Sequence, residues 1–456
     1  MGNPRVNVRA FVDEGNVSGY QMSIVALIFL VIAIDGIDVT AMAFAAPDII
    51  KTWGIRKQDM APVLSSVFFG LAGGALVAGP IADRIGRKTV LVASVLLFGS
   101  LTALAGLSSN LAMLFWLRML AGVGLGAALP QAVTLVAEFV PSRRRSVVVT
   151  IVWSGYTVGA TAVGFLAAWL IPAAGWRVAL FAAGGIPILV GLLLWLCVPE
   201  SAIFLATKGK RMSEIGRTLA RIRPGARFAS RTEFFALAEP GAKKGAIKLI
   251  LSKRYLMTTL VLWSSYFFVV FVIYCLFNWM PVMAKEQGFS MANAAIVTSV
   301  FTMAGPVGSV LVGYFMDKVK PAIVLVVICL GAALLLWGMS ITPGSFPILC
   351  AFAFAVGFCI HASSTGLNAL STRTYPTEAA ATGISWMQGI GKFGGVSSAF
   401  AGGLMLSWGW NLSQILVSLA VPAVLAAAGL LALGLSRSAP KNAMELAESA
   451  RRVAAG

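Results

Sequence analysis

Apolar stretches of about twenty residues recur along this chain, each long enough to cross a ~30 Å hydrocarbon layer as a helix. No other feature constrains the fold as tightly. Inside a bilayer every backbone N–H and C=O must be satisfied within the chain, which leaves helices or a closed barrel. The alternating pattern of barrel strands is absent. Only 11% of the residues are charged, against roughly a quarter in a soluble protein, so these runs are not core helices of a soluble domain. The chain reads as an all-α polytopic membrane protein. Twelve spans fall near 21–45, 60–82, 89–108, 111–137, 146–171, 178–198, 257–281, 292–316, 321–341, 346–370, 381–406 and 412–435.

Charge orients these spans. The tails and the even-to-odd connections carry 28 of the 35 Lys and Arg residues, whereas the opposite loops hold Lys51, Arg56, Lys57, Arg177 and Lys285. Positive loops stay cytoplasmic, so both termini are expected in the cytoplasm. The net charge of +18 then follows from topology and attraction to anionic headgroups, not from a nucleic-acid partner. Five parts result: a tail 1–20, a six-helix bundle 21–200, a basic linker 201–256 of short surface helices, a second bundle 257–435 and a tail 436–456. The polar first twenty residues and the long first run argue against a cleaved signal peptide. The five cysteines sit in apolar segments at no metal-ligand spacing, which fits small buried hydrophobes. No metal or cofactor is expected.

The two bundles repeat one another. "GPIADRIGRK" from Gly79 and "GYFMDKVKP" from Gly313 are 234 positions apart, as are "GWR" at Gly175 and "GWN" at Gly409. "VPS" at Val140 and "YPT" at Tyr375 differ by 235. Weak matches at one offset reinforce each other, and an offset of six helices implies a parallel repeat. Transporters of this build bind substrate near mid-membrane, between the halves.

The "GPIADRIGRK" loop resembles the major facilitator superfamily. Within it, "DGID" in span one, the "RMLAGVGLGAALP" stretch from Arg118, "PESAIFL" after span six and "YPTEAAATGISWMQGIGKFG" before and in span eleven resemble the aromatic acid:proton symporters. The resemblance covers essentially the whole chain. It implies the twelve-helix fold and proton-coupled uptake of a small aromatic acid, in a bacterial inner membrane, by a protein expected to be a monomer. Two positions depart from that family: Ala380 and Lys392 stand where it usually carries arginine.

Few ionisable groups remain at membrane depth: Asp35, Asp38, Arg118, Lys392 and the lone His361. Such groups are expensive in lipid and mark partners or water-filled pathways. At about 1.5 Å per residue, Asp35 lies about 21 Å up span one and Arg118 about 10 Å down span four, hence at one level. Asp35 and Asp38, at i and i+3, share a helix face. Two poorly solvated carboxylates this close cannot both ionise cheaply, which suits binding and release of a proton. A static Asp38–Arg118 pair is the structural alternative. Lys392 lies roughly 16 Å into span eleven, on a stripe with Ser385, Gln388 and Gly389, where it can receive a substrate carboxylate or snorkel. His361 is either packed or facing a cavity.

In span seven Phe267, Phe271, Tyr274 and Asn278 share a face; they can stack an aromatic ring and bind a ring hydroxyl, or simply pack. Glycine pairs Gly122/Gly126, Gly155/Gly159 and Gly391/Gly395 fit close helix contacts that let the halves slide. In the loops, Gly79, Asp83, Arg84, Gly86 and Arg87, echoed by Asp317 and Lys318, can latch the cytoplasmic ends or merely set orientation. No Walker loop, metal cluster or nucleophile elbow is present, so an ATP-driven pump or a membrane enzyme is not indicated. A proton-driven exporter of cationic drugs remains the alternative, although the extra charge, Lys392, is positive.

Overall fold

The computed structural model describes residues 5–209, 211–228, 232–236, 246–341 and 345–435. The expected tail 436–456 lies outside them. Eleven long helices account for the membrane region, and one of them is two. The 56-residue helix Ser142–Cys197 is broken at Gly175 (φ 79°, ψ 169°), in the left-handed region that only glycine enters freely. The spans are therefore α1 (Gly19–Trp53), α2 (Ala61–Ile85), α3 (Arg87–Ala105), α4 (Leu111–Phe139), α5 (142–174) and α6 (176–197). The second set is α7 (Leu256–Glu286), α8 (Met291–Lys318), α9 (Pro321–Ser340), α10 (Phe346–Thr374), α11 (Thr377–Ser407) and α12 (Leu412–Leu435). The least apolar of them is α11, whose middle carries glycine, serine, glutamine and Lys392.

The repeat read from the sequence is a repeat of packing. In the first half α1 lies against α5, α2 against α4 and α3 against α6; in the second α7 lies against α11, α8 against α10 and α9 against α12. Gly409, one repeat after Gly175, also has a positive φ, 77°, at the end of α11, where the Trp410 N–H reaches back to the Met405 carbonyl at 3.1 Å. The loop after α8 has lost the glycine of its counterpart. It turns through Val319 (φ −125°) and Lys320 (φ −51°) and restarts on Pro321, whose fixed φ suits a first helical turn. Large apolar side chains such as Trp169, Leu196 and Val310 face outward, as a hydrocarbon solvent requires.

Two short regions differ from the expected tail and linker. Residues 5–14 are docked, not free: Arg5–Asn7 pairs in parallel with Glu233–Phe235 of the linker, and the helix Val8–Glu14 buries Val8 and Val12. Arg9 donates to the Ala137 carbonyl at 2.9 Å and to Ser142 at 2.7 Å. The linker helix Met212–Ile222 buries Ile215, Leu219 and Ile222 against this assembly. A patterned strand signal needs more than three residues, so neither strand is visible in the sequence.

Candidate functional site

The intramembrane charges divide into one closed pair and a set of open groups. Arg118 of α4 holds Asp38 of α1: its Nη1 lies 3.0 Å from Oδ2 and 3.1 Å from Oδ1, and its Nη2 donates to the Asp38 carbonyl at 3.0 Å. Thr102 of α3 donates to Asp38 Oδ1 and accepts from Arg118 at 3.2 Å. The two charged side chains are 1% and 0% exposed. A pair this dry persists only if its remaining hydrogen bonds are made, and Thr102 supplies one of them.

Asp35, one turn earlier, is as buried at 2% exposure, yet its Oδ1 has no hydrogen-bond partner. Between the two acids, Gly36 lets α5 come close: a Cβ there would stand 2.1 Å from the Tyr156 carbonyl oxygen. The charge of Asp35 acts on Tyr156 of α5 and Tyr274 of α7. Within its electrostatic range is Lys392 of α11, which makes no ion pair within 4 Å among the described residues.

Other unpartnered polar atoms gather where the halves meet. The Tyr156 hydroxyl lies beside that of Tyr274 on α7, without a well-directed hydrogen bond. The Tyr274 ring meets Phe68 of α2 edge-on at 4.7 Å. Asn278, one turn along α7, buries an Nδ2 with no partner. His361 packs between Phe301 at 5.4 Å and Phe277 at 6.4 Å, and its Nε2 is likewise unpartnered. Gly305 of α8 touches both the His361 ring and Thr157 of α5, which places His361 at the same boundary. Buried polar groups normally find partners. Asp35, Tyr156, Asn278 and His361 each leave a buried polar atom unpartnered, an arrangement suited to a polar aromatic ligand.

The remaining candidates are exposed or have partners of their own. Gln388 donates to Asn368 of α10 at 3.0 Å, and Ser385 is exposed one turn nearer the basic end. Phe267 stacks on Phe271 at 6.4 Å, and its carbonyl abuts Gly394 of α11, so this end of the stripe serves helix packing. Of the glycine pairs expected between sliding halves, two lie inside the first half. Gly122 and Gly126 meet Val67 and Leu71 of α2, while Gly155 and Gly159 meet Phe29 and Ala33 of α1. Gly391 faces Tyr266 of its own half, and only Gly395 of the six crosses, to Phe68. Small residues were selected there for close backbone approach, which identifies a contact but not which helix makes it.

Contacts between the halves concentrate from mid-membrane to the end opposite the basic loops. Thr161 bonds Thr302 at 2.9 Å, Ala61 and Gln58 meet Gly403, and Lys57 pairs with Glu286. At the basic end the ion pairs stay within one half. Asp83 pairs with Arg87 at 2.9 Å, and Arg87 reaches Glu138 at 3.5 Å. In the second half Asp317 pairs with Arg373 at 2.5 Å, and Lys318 bonds Tyr314. Arg84 is exposed and a Cβ on Gly79 would touch nothing. Gly86 (φ 113°) is enclosed differently: Glu200 sits 2.1 Å from where its Cβ would be, accepting from the backbone N–H of Lys88 at 2.9 Å. Its carboxylate thus caps α3, where the helix dipole favours negative charge.

Sequence reasoning gave no role to Tyr156, Thr102, Glu138 or Arg373, and met Glu200 only as a letter of "PESAIFL". Glu138 and Arg373 are 235 positions apart, the offset of "VPS" and "YPT", so the repeat could have found them. Tyr156 shares a helical stripe with Gly159. The motif "PESAIFL" drew attention to Glu200 but not to its role, since its partner Lys88 lies 112 positions away. Among the described residues no group of three or more His, Cys, Asp or Glu could hold a metal ion.

Two repeated six-helix halves that leave buried polar groups unpartnered where they meet have the build of a membrane transporter. The profile of the Major Facilitator Superfamily matches residues 28–345. A gallate transporter of Pseudomonas putida is 39% identical over 95% of this chain and 96% of its own. A 4-hydroxybenzoate transporter of the same organism is 36% identical over 94% and 96%. A solved D-xylose–proton symporter superposes with a TM-score of 0.69 at 18% identity, covering 90% of this chain and 97% of that one. The chain belongs to the major facilitator superfamily, in its aromatic acid transporter family.

Proposed function

We propose that this protein imports a small aromatic carboxylate of the hydroxybenzoate or gallate class together with protons, by alternating access, across a bacterial inner membrane. The substrate names of relatives that match along nearly the whole chain support the substrate class. With the basic loops in the cytoplasm, both termini are cytoplasmic and the contacts between halves close the outer side, so this conformation opens inward.

The observation that carries the reading is the buried Asp35, whose Oδ1 has no hydrogen-bond partner; the charge of Lys392 in the other half acts on it. Two anions compete for one ammonium. When Asp35 takes a proton, Lys392 is released to receive the substrate carboxylate. When Asp35 gives the proton up, it reclaims Lys392 and the substrate leaves. Asp38, neutralised by Arg118 whichever state Asp35 occupies, keeps α1 and α4 together. Tyr274, Tyr156, Asn278 and His361 are the partners for ring hydroxyls, and the Phe68 ring beside Tyr274 adds an apolar wall. Asp83 with Arg87, and Asp317 with Arg373, are free to exchange partners when the basic ends meet.

Proteoliposomes loaded at higher internal pH provide the test. Labelled 4-hydroxybenzoate should accumulate, and a protonophore should abolish accumulation. Uptake indifferent to the proton gradient would sink the coupling, and absence of uptake of any hydroxybenzoate would sink the substrate class.

A further inference from the structure

A groove of about 820 Å³ opens at the basic end between the start of α3, the end of α6 and the linker helix Met212–Ile222. It lies away from the charge cluster between the halves, and nothing in the transport cycle uses it. Lys88, Arg211, Arg217 and Arg221 line it, against two acids, Glu200 and Glu214. Both acids are engaged: Glu200 on the backbone of α3 and Glu214 with Arg211 at 3.6 Å. Arg217 has no hydrogen bond or ion pair among the described residues, and Arg221 lies 5.7 Å over the Tyr20 ring. The groove is consequently a site of unspent positive charge.

Its other wall is apolar. Val92, Leu96, Leu192 and Trp195 continue from the basic rim along α3 and α6 towards the bilayer, and Trp195 and Leu192 are 61% and 43% exposed. Tryptophan at a helix end marks the headgroup level, and Lys88 donates to the Trp195 carbonyl at 2.8 Å at that level. The floor is rigid, because the linker helix buries Ile215 and Leu219 fully and Arg223 grips Phe11, its guanidinium 4.3 Å over the ring.

We propose that this groove is a binding site for one anionic phospholipid, with the phosphate between Arg217, Arg221 and Lys88 and an acyl chain along Leu96 and Leu192. Guanidinium groups match phosphate oxygens in pairs, and basic pockets beside membrane helices recruit anionic headgroups. A soluble anion would use the rim and leave the apolar wall bare; a zwitterionic lipid would use the wall and leave the arginines uncompensated. The bound lipid would also join the linker to the first bundle from the membrane side.

Native mass spectrometry of the full-length protein, titrated with phosphatidylglycerol or phosphatidylethanolamine, tests the assignment. The parent should retain phosphatidylglycerol in preference. Arg217→Gln with Arg221→Gln should weaken that retention by at least about tenfold, as two basic contacts at a membrane surface imply. Removing equal charge from exposed positions elsewhere, Lys248→Gln with Lys253→Gln, should change nothing. Inorganic phosphate in excess should not displace the lipid. Equal retention of the two lipids, unchanged retention in the arginine variant, equal loss in the control variant or displacement by inorganic phosphate would each overturn it.

Discussion

Asp38→Asn and Asp35→Asn should separate stability from transport, although the residues stand one helical turn apart in equally dry surroundings. Asp38 accepts four contacts from Arg118 and Thr102, and Arg118 is 1% exposed. Removing its carboxylate leaves a buried guanidinium without a counter-charge, and breaking such a pair costs about 3–5 kcal/mol. That is a large share of the ~5–15 kcal/mol that holds a typical domain together. Asp35 Oδ1 makes no hydrogen bond, so Asp35→Asn should alter stability by less than about 1 kcal/mol, the usual range for a change that breaks no network, yet abolish accumulation of substrate. Unfolding in mixed micelles of rising SDS fraction measures the first quantity, and proteoliposome uptake the second. The double variant Asp38→Asn, Arg118→Gln removes both charges and should regain about 2 kcal/mol against the sum of the singles, a coupling normal for residues in one network. If Asp38→Asn unfolds like the parent while Asp35→Asn collapses, the division of roles between the two acids is wrong.

Lys392→Ala should weaken binding of an aromatic acid by ~2–5 kcal/mol, as for loss of one partner of a buried pair, and leave binding of the neutral amide unchanged by calorimetry; Lys392→Arg should keep the acid bound. Asp83→Asn should lower the maximal uptake rate without altering substrate affinity, since its partner Arg87 lies at the basic end, away from the mid-membrane cluster; an equal loss of affinity would argue against a gating role. Gly175→Ala forces a side chain into φ 79° and should destabilise by about 1–2 kcal/mol, with Gly409→Ala doing the same at φ 77°; two neutral substitutions would show that the helices can turn there another way.

The spans were legible because apolar length is itself the physical requirement for crossing a bilayer. The offset of 234 between Gly175 and Gly409 likewise marked the repeat, and both glycines take a positive φ. Asp35, Asp38 and Arg118 stood out because charge is scarce at that depth. Which acid takes the arginine did not follow from depth, which put Asp35 level with Arg118; the arginine reaches Asp38, and Asp35 keeps an unpartnered Oδ1. Tyr156 was illegible for a different reason. A tyrosine in an apolar helix is an ordinary residue until tertiary contact brings Tyr274 to it, and Glu200, though part of "PESAIFL", took on a role only when the fold brought the α3 backbone to it. The docking of residues 5–14 is of the same kind, since its partners come from the linker and α4.

The separation of Asp38 from Arg118, 80 positions along the chain, has a consequence for biogenesis. At about 5–20 residues per second, the first span leaves the ribosome some seconds before its counter-ion is made. Over that interval it must enter the membrane with both acids unmatched, at an insertion penalty of ~2.5–3.5 kcal/mol for each near the centre. The flanking "IVALIFLVIAI" and "VTAMAFAA" supply the compensating apolar length, at roughly −0.3 to −0.6 kcal/mol for each Leu, Ile, Phe or Val. Shortening those flanks should therefore leave the first helix stranded outside the bilayer during synthesis, even where the finished protein would tolerate the change.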